Sequence, residues 1–273
     1  IFIADSTVRR MAGYLPGPRG GAAVENLVLG NVTLYGGGLM VANRFGDGGP
    51  APQASLTDVS MFAYNHFRGV PPSSSSNDRA ALVVQDRDAA SNHIIFRNSF
   101  LSSLRPQNMT SFLVRNDGSP DTRYPTMNLR DNYWGPHSTQ QMSSSTPLQD
   151  MDEILDGFES RSIRNSGYVG QIDYRNWATG PFPLVSIESP RWGDRFRAGE
   201  RVTFRGGART FANGSYTDLS ASTLTWRDES GLSLGSGATA TLNLPAGVHR
   251  VWLSAVDASG REGRSVVEVE ILQ

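Results

Sequence analysis

"LRDNYWGPH", residues 129–137, sets Asp131, Asn132, Gly135 and Pro136 beside Tyr133 and Trp134. Turn formers and two large aromatics in so short a run mark either a site or the end of a structural unit. Stretches upstream decide between these. "IADSTV" begins at Ile3, "LGNVTL" at Leu29, "LTDVSM" at Leu56, "FRNSFL" at Phe96 and "LRDNYW" at Leu129. Each reads apolar, any residue, Asp or Asn, then a short strand. A second apolar run follows three of them: "GLMVAN" (38–43), "ALVVQD" (81–86) and "SFLVRN" (111–116). The intervals, such as "GVPPSSSSNDRA" and "RNDGSPDTRYP", vary in length. Insertions confined to particular corners of a regular coil are what a solenoid tolerates. Short β-branched runs without long helical periodicity make it a β-solenoid, with coils ~4.8 Å apart. The quoted stretch then reads as the last rung.

The repeated polar position predicts a turn ladder of Asp5, Asn31, Asp58, Asn98 and Asp131. Asp and Asn tolerate left-handed backbone and bond their own main chain. Acid and amide alternate in this column, so each amide can donate to a carboxylate on either side.

The ending resembles that of right-handed parallel β-helix proteins of pectin-lyase-like architecture. Bacterial members often close with an Asn-Asn-Tyr/Trp-Trp-Gly motif, a short helix and a Val-Asp-Tyr-x-x-Trp segment. Their counterparts are "DNYWGP" (131–136), "TPLQDMDEILDGFES" (146–160) and "GQIDYRNWATGPF" (170–182). Gly170 and Gln171 depart from that spelling, whereas Asp173, Tyr174 and Trp177 match it. The resemblance covers about 1–183 and implies a fold with a C-terminal cap, not an activity. In this reading Thr146 caps a helix that has Pro147 at its first position. Ile154, Leu155 and Phe158 share its inner face, and Tyr133, Trp134, Tyr174 and Trp177 fill the space around it.

After "ATGPFP" the texture changes. Short strands recur in "PLVSIE" (183–188), "ERVTFRG" (200–206), "STLTWRD" (222–228), "ATATLNL" (238–244), "VHRVWLSAVD" (248–257) and "GRSVVEVEIL" (263–272), with turn clusters between them. This spacing predicts a β-sandwich. The segment 184–273 resembles bacterial immunoglobulin-like and PKD-type domains of secreted proteins. Alternation points Trp226, Val251, Leu253 and Ala255 inward. It points Trp252 outward, to pack between domains with Trp192 contributing, to bind a partner, or to be merely tolerated at the surface. The fold expected is therefore all-β: a parallel β-helix with a capping helix over 1–183, then an Ig-like sandwich over 184–273.

Composition narrows the chemistry. Cysteine is absent, which excludes disulfides, thiolate metal sites and thiol catalysis. All 25 basic residues are Arg, so there is no Lys base, Schiff base or P-loop. The net charge of -1 and the lack of a basic aromatic stripe argue against nucleic acid as a partner. No apolar run is long enough for a membrane span. The chain opens on "IFIADST", without Met or a signal peptide, as expected of a processed product or a fragment. That opening leaves the top coil uncovered, so further coils or another subunit are expected there.

Of the four histidines, His66, His93, His137 and His249, none stands in a metal-binding spacing. His249, at a strand start, suits a capping hydrogen bond. The densest polar cluster is "QDRDAASNH", with Asp86, Arg87, Asp88 and His93 as candidates for calcium binding or proton transfer, against the plainer reading of a polar corner between strands. Asp117 and Asp121 in "NDGSPD" are candidate calcium ligands. "GSGATA" (235–240) has no following helix and is rejected as a phosphate loop. The expectation is a secreted or cell-surface structural, adhesive or glycan-binding protein. Its partner would be an extracellular polysaccharide or a surface protein, with self-association possible at the open coil. The alternative is a polysaccharide lyase or glycoside hydrolase with a groove along the coils.

Overall fold

The computed structural model describes residues 2–4, 7–8, 11–14, 21–29, 32–35, 38–46, 54–57, 60–69, 79–84, 94–101, 111–116, 126–144, 151–155 and 171–273. Nearly all the regular structure is β. The chain divides into two compact units, the bulk of one being Asp5–Pro181 and of the other Phe182–Gln273.

The chain begins with strands β1 (Phe2–Ala4), β2 (Thr7–Val8), β3 (Met11–Tyr14), β4 (Gly21–Val24), β5 (Leu27–Val28), β6 (Val32–Tyr35), β7 (Gly38–Val41), β8 (Arg44–Phe45) and β9 (Ala54–Thr57). It continues with β10 (Met61–Ala63), β11 (His66–Phe67), β12 (Arg79–Val84), β13 (Ile95–Phe96), β14 (Ser99–Phe100), β15 (Ser111–Asn116) and β16 (Thr126–Asn128). One ladder runs β1-β4-β7-β10-β13, a second β2-β5-β8-β11-β14, and a third β3-β6-β9-β12-β15-β17, where β17 is Ile154–Leu155. Up to β15, each ladder thus takes every third strand. The pairings are parallel and in continuous register: Met40 faces Phe62, Phe45 faces Phe67 and Leu34 faces Leu56. Parallel ladders leave no room for hairpins, so each strand must hand the chain to the next sheet.

One corner repeats through the stack. Glu25, Ala42, Tyr64, Arg97 and Asp131 all have left-handed backbone, with φ of 59°, 57°, 59°, 53° and 58°. Each is followed by a fully buried asparagine: Asn26, Asn43, Asn65, Asn98 and Asn132. Two residues later comes a core residue: Val28, Phe45, Phe67 and Phe100 of the second ladder, and Trp134 beyond its last strand. The aromatics stack at the strand spacing, with centroids 4.5 Å apart for Phe45–Phe67, 4.8 Å for Phe67–Phe100 and 5.4 Å for Phe100–Trp134.

The polar column foreseen from the sequence is thereby corrected. Asn98 belongs to it and Asp131 does not; Asp131 holds the left-handed position one residue before Asn132. Asp5, Asn31 and Asp58 lie outside the described residues. The proposed alignment also mixes ladders, since Leu56 sits in the third, Phe96 in the first, and Leu29 follows β5 with 43% exposure. Asp and Asn are frequent in turns generally, and composition alone does not tell one corner from another.

The helix is also displaced. Helix α1 spans Gly135–Ser143, directly after Trp134, with Pro136 in its first turn and Ser138 and Met142 buried. In the segment expected to be helical, Ile154–Leu155 instead form β17, paired with Val114 and Arg115 of β15. A two-residue apolar pair does not reveal its own period, and the open ladder edge claims it. Thr146, Pro147 and Phe158 lie outside the described residues. The aromatics assigned to the end of the stack do join its core: Trp134 and Tyr174 are buried, and Trp177 packs against the same cluster. β18 (Gln171–Asp173) pairs in parallel with β16.

The second unit comprises β19 (Leu184–Ser189), β20 (Asp194–Arg197), β21 (Arg201–Ala212), β22 (Ser215–Asp218), β23 (Leu224–Arg227), β24 (Ser233–Ser236), β25 (Thr239–Asn243), β26 (Gly247–Val256) and β27 (Glu262–Leu272). One sheet pairs β21 with β19, β22 and β25; the other runs β20-β27-β26-β23-β24. A single core lies between them, built on Val185, Val202, Phe204, Trp226, Leu253 and Val269 among others. As alternation requires, Trp226, Val251, Leu253 and Ala255 are buried, while Trp252 on the opposite face of β26 is only half-buried. The Trp226 indole N–H donates to the Gly237 carbonyl at 2.9 Å. β20, β22 and β24, which the sequence reading passed over, are short strands with little apolar content.

Candidate functional site

Among the described residues of the first unit, the asparagine column is the most extensive polar arrangement, and it is internally satisfied. The Asn43 side-chain amide donates to Asn65 Oδ1 at 3.0 Å and to the carbonyls of Ala23 and Val41 at 2.8 and 3.1 Å. The backbone N–H of Asn43 donates to the same Asn65 Oδ1 at 3.0 Å. Asn65 repeats this toward Asn98, and Asn98 toward Asn132. With its donors and acceptors occupied inside the core, the column is scaffold, not a ligand site.

A second cluster forms where β16 and β18 pair. The Asp173 carboxylate receives Arg130 Nε at 2.6 Å and Arg175 Nε and Nη2 at 2.9 and 2.8 Å. Burial desolvates this carboxylate and pushes its pKa upward. Hydrogen bonds from Arg175 and Arg130 outweigh that and bring it from 3.8 to about 2. Asp173, part of the "IDYRNW" motif, ties the ends of β16 and β18 together.

On α1, His137 Nε2 lies 3.2 Å from Asp152 Oδ2, and the Ser138 hydroxyl donates to the buried Glu153 carboxylate. The two contacts do not join into a Ser–His relay. His249 Nε2 lies 2.7 Å from the Pro245 carbonyl, the capping role expected of it. His66 is wholly buried in β11.

The sequence-derived candidates Asp86, Arg87, Asp88 and His93, and the calcium candidates Asp117 and Asp121, lie outside the described residues. Among the described residues no group of three or more His, Asp or Glu is placed to hold a metal ion. No helix among them is long and apolar enough to cross a membrane.

The two outer faces of the sandwich differ in charge. On the β20-β27-β26-β23-β24 sheet and its turns, four arginines are matched to acids, Arg195 to Glu270, Arg250 to Glu268, Arg261 to Asp257 and Arg264 to Glu262, each within 2.7–2.9 Å, while Arg197 and Arg227 form no ion pair among the described residues. On the other sheet β21 turns Arg201, Thr203 and Arg205 to solvent, with the partly exposed Arg209 next but one. None of these three arginines forms an ion pair among the described residues. Thr239, Thr241 and Asn243 of β25 stand opposite, and the Thr203 and Thr241 hydroxyls are 3.2 Å apart. Sequence reading missed this surface, although arginine recurring at every fourth position of "RVTFRGGAR" was visible as a row on one strand face.

No family model matches the chain, and no curated protein does. Among solved structures, the chain is similar to fibronectin(III)-like modules of Clostridium thermocellum CbhA. The identity is 22%, over 33% of this chain and 96% of that one, with a TM-score of 0.27.

Proposed function

We propose that the chain is a secreted or cell-surface protein that acts without catalysis, as a structural, adhesive or glycan-binding component. In this reading residues 1–183 are coils of a right-handed parallel β-helix closed at its C-terminal end, and residues 184–273 are an Ig-like or PKD-type sandwich. The observation that carries it is the strand pairing: three parallel ladders, each taking every third strand, around one asparagine column and one aromatic row. Such a stack commits its recurrent polar and aromatic groups to holding successive coils together. It offers a repetitive outer surface suited to a polymeric partner, either an extracellular polysaccharide or a surface protein.

The test is to incubate the full chain with a panel of acidic and neutral polysaccharides, measuring retention and products together. Retention without new reducing ends or unsaturated sugars is the expected result. Product formation that disappears in Asp86→Ala or Arg87→Ala would replace this reading with a lyase or hydrolase. Retention by no member of the panel would remove glycan binding from it.

A further inference from the structure

We infer that the outer face of β21 and β25 is a binding surface for a linear, acidic polysaccharide, an inference that rests on the glycan-binding reading above. Arg201, Arg205 and Arg209 recur at every fourth position of one strand, on the face opposite the buried Val202, Phe204 and Ala208. Their backbones are therefore separated by about 13 Å at each step along a straight track. On the sandwich's other sheet Arg195, Arg250 and Arg264 pair with carboxylates, while Arg197 and Arg227 form no ion pair among the described residues; what sets this face apart is three unpaired arginines spaced regularly along one strand. The exposed acids bordering it are Asp218, opposite Arg209, Glu188 of β19 and Glu200, immediately before Arg201; none forms an ion pair with the row among the described residues.

The surroundings favour sugars. Thr203, Thr239, Thr241 and Asn243 line the track with hydroxyl and amide groups that exchange hydrogen bonds with sugar hydroxyls. Arg209 lies with its guanidinium carbon 5.4 Å from the centre of the Tyr216 ring, which in turn meets the Phe211 edge at 5.0 Å. That places two partly exposed rings at one end of the track. Guanidinium groups recognise carboxylates through paired hydrogen bonds. Widely spaced cations suit a polymer with one carboxylate per sugar. Nucleic acid, a polyanion of higher charge density, is the competing ligand, and a net charge of -1 supplies no general attraction to it.

The test is affinity electrophoresis of the full chain through gels carrying polygalacturonate, neutral dextran or duplex DNA, with Arg201→Gln/Arg205→Gln compared with Arg195→Gln/Arg264→Gln. Polygalacturonate is expected to retard the parent chain, and added salt to weaken that retardation. The first double variant should bind at least tenfold more weakly at an unchanged melting temperature, and the second like the parent. Equal retardation of both variants, or retardation by dextran alone, would overturn the assignment while leaving glycan binding intact. Retardation by DNA as strong as by polygalacturonate would overturn it in favour of unselective charge. Retardation by none of the three would remove this surface, and the wider panel decides whether the broader reading survives.

Discussion

Asn98 and Asn132 are joined twice over: the backbone N–H of Asn98 donates to Asn132 Oδ1 at 2.8 Å, and its side-chain amide donates to the same oxygen at 3.1 Å. The Asn98 amide also reaches the carbonyls of Phe62 and Phe96, so one side chain ties β10, β13 and the Asn132 corner together. Replacement by alanine removes these bonds and strands the donors of Asn65 inside the core. Asn98→Ala should cost about 2–4 kcal/mol, read as a fall in the denaturation midpoint. A loss below about 0.5 kcal/mol would mean that the column is not held by its side chains.

Phe67 lies between Phe45 and Phe100 in the aromatic row and is fully buried. Phe67→Ala opens a cavity against both rings and should destabilise the first unit by about 3–5 kcal/mol. Phe67→Leu, which keeps most of the volume, should cost markedly less. Urea denaturation of the two variants would separate these outcomes.

Asp173 makes a prediction in pH. Its folded pKa of about 2 lies below the 3.8 of the unfolded chain, so the folded state resists protonation. The resulting stability is fully present above about pH 4 and is lost as pH falls through 3.8 toward 2. Arg130 and Arg175 are each more than one-third exposed, and solvent screening reduces the contribution to about 1–2 kcal/mol. Asp173→Asn should flatten the stability profile over this acid range; a profile as steep as the parent's would disprove the assignment.

Gly263 and Gly207 make opposing predictions. A Cβ at Gly263 would lie 1.9 Å from the Pro183 carbonyl oxygen, whereas one at Gly207 meets nothing within 4 Å. Gly263→Ala should lower the stability of the sandwich by more than about 2 kcal/mol, because backbone must move to admit the methyl group. Gly207→Ala should be neutral or stabilise by about 0.5–1 kcal/mol through the loss of unfolded-state freedom. Calorimetry of both variants checks the pair.

The sandwich was legible because alternation is a strong local signal. Trp226, Val251, Leu253 and Ala255 sit where a two-residue period puts them, and β26 and β27 match the expected strands to within a residue or two, while β21 runs on to Ala212, past the expected end at 206. The asparagine column was harder to read. Its true signature is "ENLV", "ANRF", "YNHF", "RNSF" and "DNYW", an Asn two residues before a core residue, beginning at positions 25, 42, 64, 97 and 131. The left-handed residue before each Asn is Glu, Ala, Tyr, Arg or Asp, a set that shares no chemistry and so gives no sequence signal. The arginine track escaped notice because "RVTFRGGAR" was read only for its inward-facing apolar residues. Helix α1 was missed because its N-terminal turn lacks a capping side chain and its first residues, Gly135 and Pro136, read as turn.

The asparagine links span 17, 22, 33 and 34 residues, yet the bonds between them scarcely change in length. Every rung presents one acceptor oxygen to the rung before it and its own donors to the rung after, so any rung can follow any other. Lengthening the protein requires no redesign at the joint: a duplicated segment from Tyr64 to Phe96 would arrive with both halves of its own coupling. The height of the stack is therefore free to change by gene duplication, while the loops between corners diverge in size and sequence without disturbing it.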